Sequence, residues 1–79
     1  MKLFKDYVHP VIYKAVYYGV NSCVVNFDEV MKPAIFTKDN MEQLRHFIEA
    51  IPIGYGKTKV SLEVKEWFGG NRYMFKIKW

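Results

Sequence analysis

Lys57-Thr58-Lys59-Val60-Ser61-Leu62-Glu63-Val64-Lys65-Glu66-Trp67-Phe68-Gly69-Gly70-Asn71-Arg72-Tyr73-Met74-Phe75-Lys76-Ile77-Lys78-Trp79 is the stretch whose reading decides the fold. Val60, Leu62, Val64 and Phe68 fall on even numbers, whereas Tyr73, Phe75, Ile77 and Trp79 fall on odd ones. Successive side chains of a strand point to opposite faces, so each half reads as a strand with one apolar face. The two apolar sets share a face only when paired residue numbers sum to an odd value, which demands a connection of two or four residues. Gly69-Gly70 and Gly70-Asn71 both satisfy that condition and are favoured hairpin dipeptides. The opposite face then displays Lys59, Ser61, Glu63, Lys65, Trp67, Arg72, Met74, Lys76 and Lys78, a basic surface with one exposed indole.

Upstream of the hairpin, Met41, Leu44, Phe47, Ile48 and Ile51 recur on one face of a helix over Lys38–Ile51, while Glu42, Arg45, His46 and Glu49 occupy the other. Thr37 is the expected N-cap, because that choice places Phe36 and Met41 at the two positions of a hydrophobic staple. Pro52 ends the helix, since the residue before a proline is pushed out of the helical region. Gly54 and Gly56 let the chain reverse into the hairpin.

Closer to the N-terminus, Val11–Tyr18 is rich in β-branched and aromatic residues, and Cys23–Phe27 alternates, so two strands are expected there. A turn through Gly19-Val20-Asn21-Ser22 would pair Tyr17 with Cys23 and Tyr13 with Phe27. A short strand at Ala34-Ile35-Phe36 follows Pro33, which suits a strand's first position. Leu3, Phe4, Tyr7 and Val8 have helical spacing that Pro10 limits to about two turns. The expected fold is α+β: an antiparallel sheet of four to five strands with one amphipathic helix packed on one face, ending in a C-terminal β-hairpin. The expected core draws on Val25, Phe27 and Ile35, on the apolar helix face, and on Val60, Leu62, Val64, Phe75 and Ile77.

With 79 residues the chain reads as a single small domain, 1–79, of a size that buries only about 60% of its unfolded surface. Half of the residues are hydrophobic, with six Tyr, six Phe and two Trp, which is ample for a packed core. One cysteine cannot form an internal disulfide, the start of the chain lacks a signal-peptide pattern, and no apolar run is long enough to span a membrane. A cytoplasmic protein, complete as given, is the expectation. The net charge of +4 is localised. Residues 1–56 carry six Lys/Arg against six Asp/Glu, and residues 57–79 carry six against two, so the hairpin holds the whole excess.

Candidate chemistry is sparse. Gly56-Lys57-Thr58 ends like a phosphate-binding loop, but Ile51 stands where that motif needs its first glycine, and a helix precedes it where a strand belongs. Cys23, His9 and His46 are too few for a structural zinc site, and Cys23 reads as a small buried hydrophobe. His46 reads as solvated, and Asp28-Glu29 as sequence neighbours that point apart. No catalytic residue, cofactor or metal is therefore assigned. Asn71–Trp79 alternates basic and aromatic residues but lacks the Gly-aromatic-Gly core of RNA-recognition strands.

The expected function is a non-enzymatic binding module, a small regulator or inhibitor that occludes a protein or nucleoprotein surface. The phage or mobile-element type of accessory protein fits that description. Its partner-binding residues are Lys59, Lys65, Trp67, Arg72, Met74, Lys76 and Lys78, an indole and a thioether among cations. The alternative is nucleic-acid binding through the same face, with the cations on phosphates and Trp67 stacked on a base. A small enzyme is the least supported class, and no membrane partner is expected.

Overall fold

The chain runs through a π-helical turn (Phe4–Val8), helix α1 (His9–Tyr17), strand β1 (Ser22–Asp28), helix α2 (Lys38–Glu49) and strands β2 (Lys59–Trp67) and β3 (Gly70–Lys78) in the computed structural model, which describes residues 1–79. The sheet has three strands in the order β1-β3-β2, all antiparallel, with β3 in the centre. The architecture is α+β, as the periodicities imply, with three strands where four to five are expected.

Alternation sets the hairpin as anticipated. Val60, Leu62 and Val64 pair with Ile77, Phe75 and Tyr73, so paired numbers sum to an odd value. The loop, however, is Phe68-Gly69, with Trp67 opposite Gly70, rather than either dipeptide built on Gly70. Gly69 takes φ +74°, a conformation that side chains resist, and this fixes where the chain turns. Phe68 consequently leaves the apolar face and stands 85% exposed at the hairpin tip.

The largest correction concerns Val11–Tyr18, which lies in helix α1 and not in a strand. The expected pairs Tyr17 with Cys23 and Tyr13 with Phe27 do not form, and β1 pairs with β3 instead, Cys23 opposite Ile77 and Phe27 opposite Tyr73. Helical spacing explains the outcome: Val8, Val11, Ile12 and Ala15 gather on one stripe, where Val8 and Ile12 are buried. Strand alternation would have put Ile12 and Lys14 on the same face. Burial against the sheet thus overrides the β-propensity of the individual residues. Pro10 is accommodated near the start of α1 because the preceding turn is wider, the His9 N–H donating to the Phe4 carbonyl five residues back.

Ala34-Ile35-Phe36 is a turn, not a strand, closed by the Phe36 N–H on the Lys32 carbonyl at 2.8 Å. Its purpose is to present the start of α2. Thr37 Oγ1 accepts the Asn40 N–H at 3.2 Å, and the staple residues Phe36 and Met41 are both buried. Helix α2 ends at Glu49, slightly short of Ile51.

Both helices lie on one face of the sheet, and the core forms between the layers. Met41, Leu44 and Ile48 of α2, Val8 and Ile12, and Val25, Phe27, Tyr73, Phe75 and Ile77 of the sheet are buried in it. Phe27 meets Phe75 edge-on at 5.5 Å and Phe36 at 5.0 Å. Three expected core residues lie at its margin instead: Ile35, Phe47 and Val64 are exposed, Phe47 leaning on Phe4 at 5.2 Å.

Candidate binding face of the sheet

Because both helices cover the same side, the other face of the sheet is left open. Its rows follow from the register. Ser22, Lys78 and Lys59 form the first; Val24, Lys76 and Ser61 the second; Asn26, Met74 and Glu63 the third; Asp28, Arg72 and Lys65 the fourth. Trp67 closes the face at the hairpin end, opposite Gly70. All seven residues singled out from sequence, Lys59, Lys65, Trp67, Arg72, Met74, Lys76 and Lys78, therefore lie on this one surface.

Lys78, Lys76 and Arg72 run down the central strand with Met74 between them, while Val24 stands on the outer strand β1 and Trp67 at the hairpin end. Val24 is half exposed beside Lys76, and a shallow depression of about 170 Å³ is lined by Asn26, Glu63, Lys65, Arg72 and Met74. Lys76 Nζ reaches Glu63 Oε1 at 3.2 Å, and Arg72 Nε reaches Asp28 Oδ2 at 3.4 Å. The other ion pairs of the molecule join Arg45 to Glu42 and Glu49 on α2. Lys59, Lys65 and Lys78 thus have no carboxylate within ion-pair distance, and Lys59 stands directly opposite Lys78 across the strands. Like charges in that position repel.

Trp67 is not a free indole. The Arg72 guanidinium lies over its ring at 4.6 Å, and Phe68 contacts it edge-on at 5.3 Å. One ring face is occupied, and the half-exposed remainder forms an aromatic rim with Phe68. Sequence reading missed Phe68, Val24, Asn26 and Asp28 as members of the face. The last three arrive on β1, whose neighbour is set by tertiary pairing and carries no local signal.

Elsewhere the polar residues have structural partners. Asp28 Oδ1 accepts the Val30 N–H, and Glu29 Oε2 accepts from the Asn71 N–H and the Tyr73 hydroxyl, each at 3.2 Å, so this acidic pair anchors β3 to the end of β1. Burial pushes the Tyr73 phenol upward, and it does the same to the Cys23 thiol. A protonated thiol is a poor nucleophile. His9 rests against Phe4 and Tyr13, His46 lies on the exposed side of α2, and no three His, Cys, Asp or Glu side chains are grouped around a common point. Thr58 donates its hydroxyl to the Ile51 carbonyl, and a strand rather than a helix follows it. Gly54 packs against Trp79, where a Cβ would come within 3.2 Å of the indole, so it serves packing.

A second concavity lies between the N-terminal turn and the start of α2, lined by Leu3, Asp6, Tyr7, Lys32, Ile35 and Asn40 among others. Its floor carries a bond from Lys32 Nζ to the Tyr7 hydroxyl at 2.9 Å. The hydrogen bond to Tyr7 raises the Lys32 pKa, so this group offers a cation and not a base.

No protein-family model, curated protein or solved structure matches the chain. Fold and face together define a small α+β domain with a three-stranded sheet open on one side. No helix in it is long and apolar enough to cross a membrane.

Proposed function

We propose that the domain is a non-enzymatic binding module, a small regulator or inhibitor that seats the open face of its sheet on a protein or nucleoprotein surface. The observation that carries this reading is that face itself: Val24, Met74 and Trp67 stand among Lys59, Lys65, Lys76 and Lys78 on the side of the sheet that neither helix covers. Aromatic residues, methionine and arginine, here Trp67, Met74 and Arg72, are the side chains enriched at protein interfaces. The three lysines without carboxylate partners supply the sign, so the complementary surface is acidic. The test is cross-linked capture from the native host with the whole domain and with Met74→Glu. A stoichiometric protein retained by the former and lost by the latter is the expected result; equal retention by both would sink the reading.

A second reading, nucleic-acid binding, is favoured by one specific feature, the facing pair Lys59 and Lys78, whose mutual repulsion a bridging phosphate would relieve. Against it, Arg72 leaves Trp67 only one ring face for a base. Titration with single- and double-stranded DNA and RNA at two salt concentrations separates the two, because phosphate contacts give a steep salt slope.

A further inference from the structure

Strand β1 has one unpaired edge, and its residue order determines what can pair with it. The Trp79 N–H donates to the Asn21 carbonyl and the Glu29 N–H to the Asn71 carbonyl. Bonding in an antiparallel ladder alternates, so Cys23, Val25 and Phe27 direct their backbone groups to β3. Those of Ser22, Val24 and Asn26, with the Asp28 N–H, point away from the sheet; the Asp28 carbonyl already accepts the Met31 N–H. Ser22, Val24 and Asn26 are exposed, and no helix or loop hydrogen-bonds along this edge.

Edges of this kind are normally guarded by charge, proline or a bulge. The opposite edge of the sheet is guarded. Strand β2 carries Lys59, Glu63, Lys65 and Glu66, and pairing it with itself about its centre would set Glu63 against Glu63. Strand β1, Ser-Cys-Val-Val-Asn-Phe-Asp, has no lysine, arginine, glutamate or proline, and its single charge, Asp28, is at its end.

We propose that this edge is the interface of a homodimer, in which β1 of a second copy pairs antiparallel about a two-fold axis at Val25. Val24 then faces Asn26 of the second copy, and Ser22 faces Asp28. Residues of equal parity meet, so the edge-directed N–H and C=O groups find each other and the apolar set Cys23, Val25, Phe27 stays on the helix side in both copies. A shift of one residue would break both conditions. No like charges meet in this register, which makes the strand complementary to itself. Helix α1 packs against β1 and leaves Tyr13 67% and Tyr17 75% exposed. The two sheets become one of six strands with their open faces joined, and this assembly is independent of what binds that face.

Sedimentation equilibrium of the whole chain, from micromolar to near-millimolar concentration, tests the assembly against the 9.4 kDa chain mass. Twice that mass is expected. Val24→Pro removes an edge-directed N–H and leaves the β1–β3 hydrogen bonds in place, a change an edge strand tolerates, and is expected to give a folded species of single-chain mass. Val25→Cys in a Cys23→Ser background gives a second measurement that does not depend on the proline variant folding. Facing residues at a non-hydrogen-bonded pair lie about 4.5 Å apart, within disulfide reach. Oxidised glutathione should then convert the two thiols to an intermolecular disulfide, releasing reduced glutathione, and dithiothreitol should reverse it. A single-chain mass at all concentrations, a folded Val24→Pro dimer, or a dimer that Val25→Cys fails to cross-link would each overturn the proposal.

Discussion

Arg72 lies over the indole of Trp67 with its guanidinium carbon 4.6 Å from the ring centroid, while its Nε reaches Asp28 Oδ2 at 3.4 Å. The three side chains come from β3, β2 and β1, so one cation links the open face across every strand. An exposed cation–π contact contributes about 0.5–1 kcal/mol, whereas an interface tryptophan that acts as an anchor is worth about 2 kcal/mol or more. Trp67→Ala is therefore expected to lower the unfolding free energy by less than about 1 kcal/mol and the affinity for the captured partner by about thirtyfold or more. Urea denaturation beside calorimetric titration reads both numbers. Unchanged affinity would remove Trp67 from the interface.

Lys59 opposite Lys78 is a local conflict that the fold tolerates. Lys78→Glu converts it to an attractive pair and is expected to stabilise the isolated domain by roughly 0.2–1 kcal/mol, most at low ionic strength, where screening is weakest. The same substitution should weaken attachment to an acidic partner. A urea midpoint that does not rise at low salt would show that the two ammonium groups avoid each other in solution.

What could be read from the residues was what is decided locally. Parity within Val60–Trp79 fixes which side chains share a face whatever the loop, so the common face of the seven residues was legible although the turn falls one residue before Gly69-Gly70 and two before Gly70-Asn71. The Thr37 cap was legible because Phe36 and Met41 discriminate between competing starts. Helix α1 was not, because Val11, Ile12, Val16 and the tyrosines favour strands one by one, and only the sheet beneath Val8 and Ile12 makes the helix the better burial. The absence of a strand at Val11–Tyr18 has the same origin: with α1 helical, β1 had to find β3, and that pairing brought Val24, Asn26 and Asp28 onto the face unannounced.

Helix α2 offers a graded test of the core. Losing the Thr37 cap in Thr37→Ala is expected to cost about 1 kcal/mol. Leu44, fully buried between α2 and the sheet, should cost about 2–5 kcal/mol on truncation to alanine. Domains hold roughly 0.05–0.15 kcal/mol per residue, so Leu44→Ala removes much of the stability available to a chain this short. Urea unfolding followed by circular dichroism checks the order; a Thr37→Ala variant less stable than Leu44→Ala would contradict the packing described.

The alkaline limb of stability should be set by Tyr73 and Cys23. Burial raises the pKa of each above its ordinary value, 10.0 for the phenol and 9.0 for the thiol. An unfolded chain ionises them at those ordinary values while the folded chain still holds its protons, so above pH 9.0 the unfolded state binds fewer protons and stability falls as pH rises. Below that pH the two groups are neutral in both states and contribute no slope. Tyr73→Phe removes the phenol's share of the alkaline loss, and it also removes the hydroxyl that donates to Glu29 Oε2 at 3.2 Å, a hydrogen bond worth about 1 kcal/mol at neutral pH. The variant is thus expected to be less stable than the parent near neutrality and to lose less between neutral and alkaline pH, with the two urea midpoints converging. Parallel curves would place the alkaline loss in other groups.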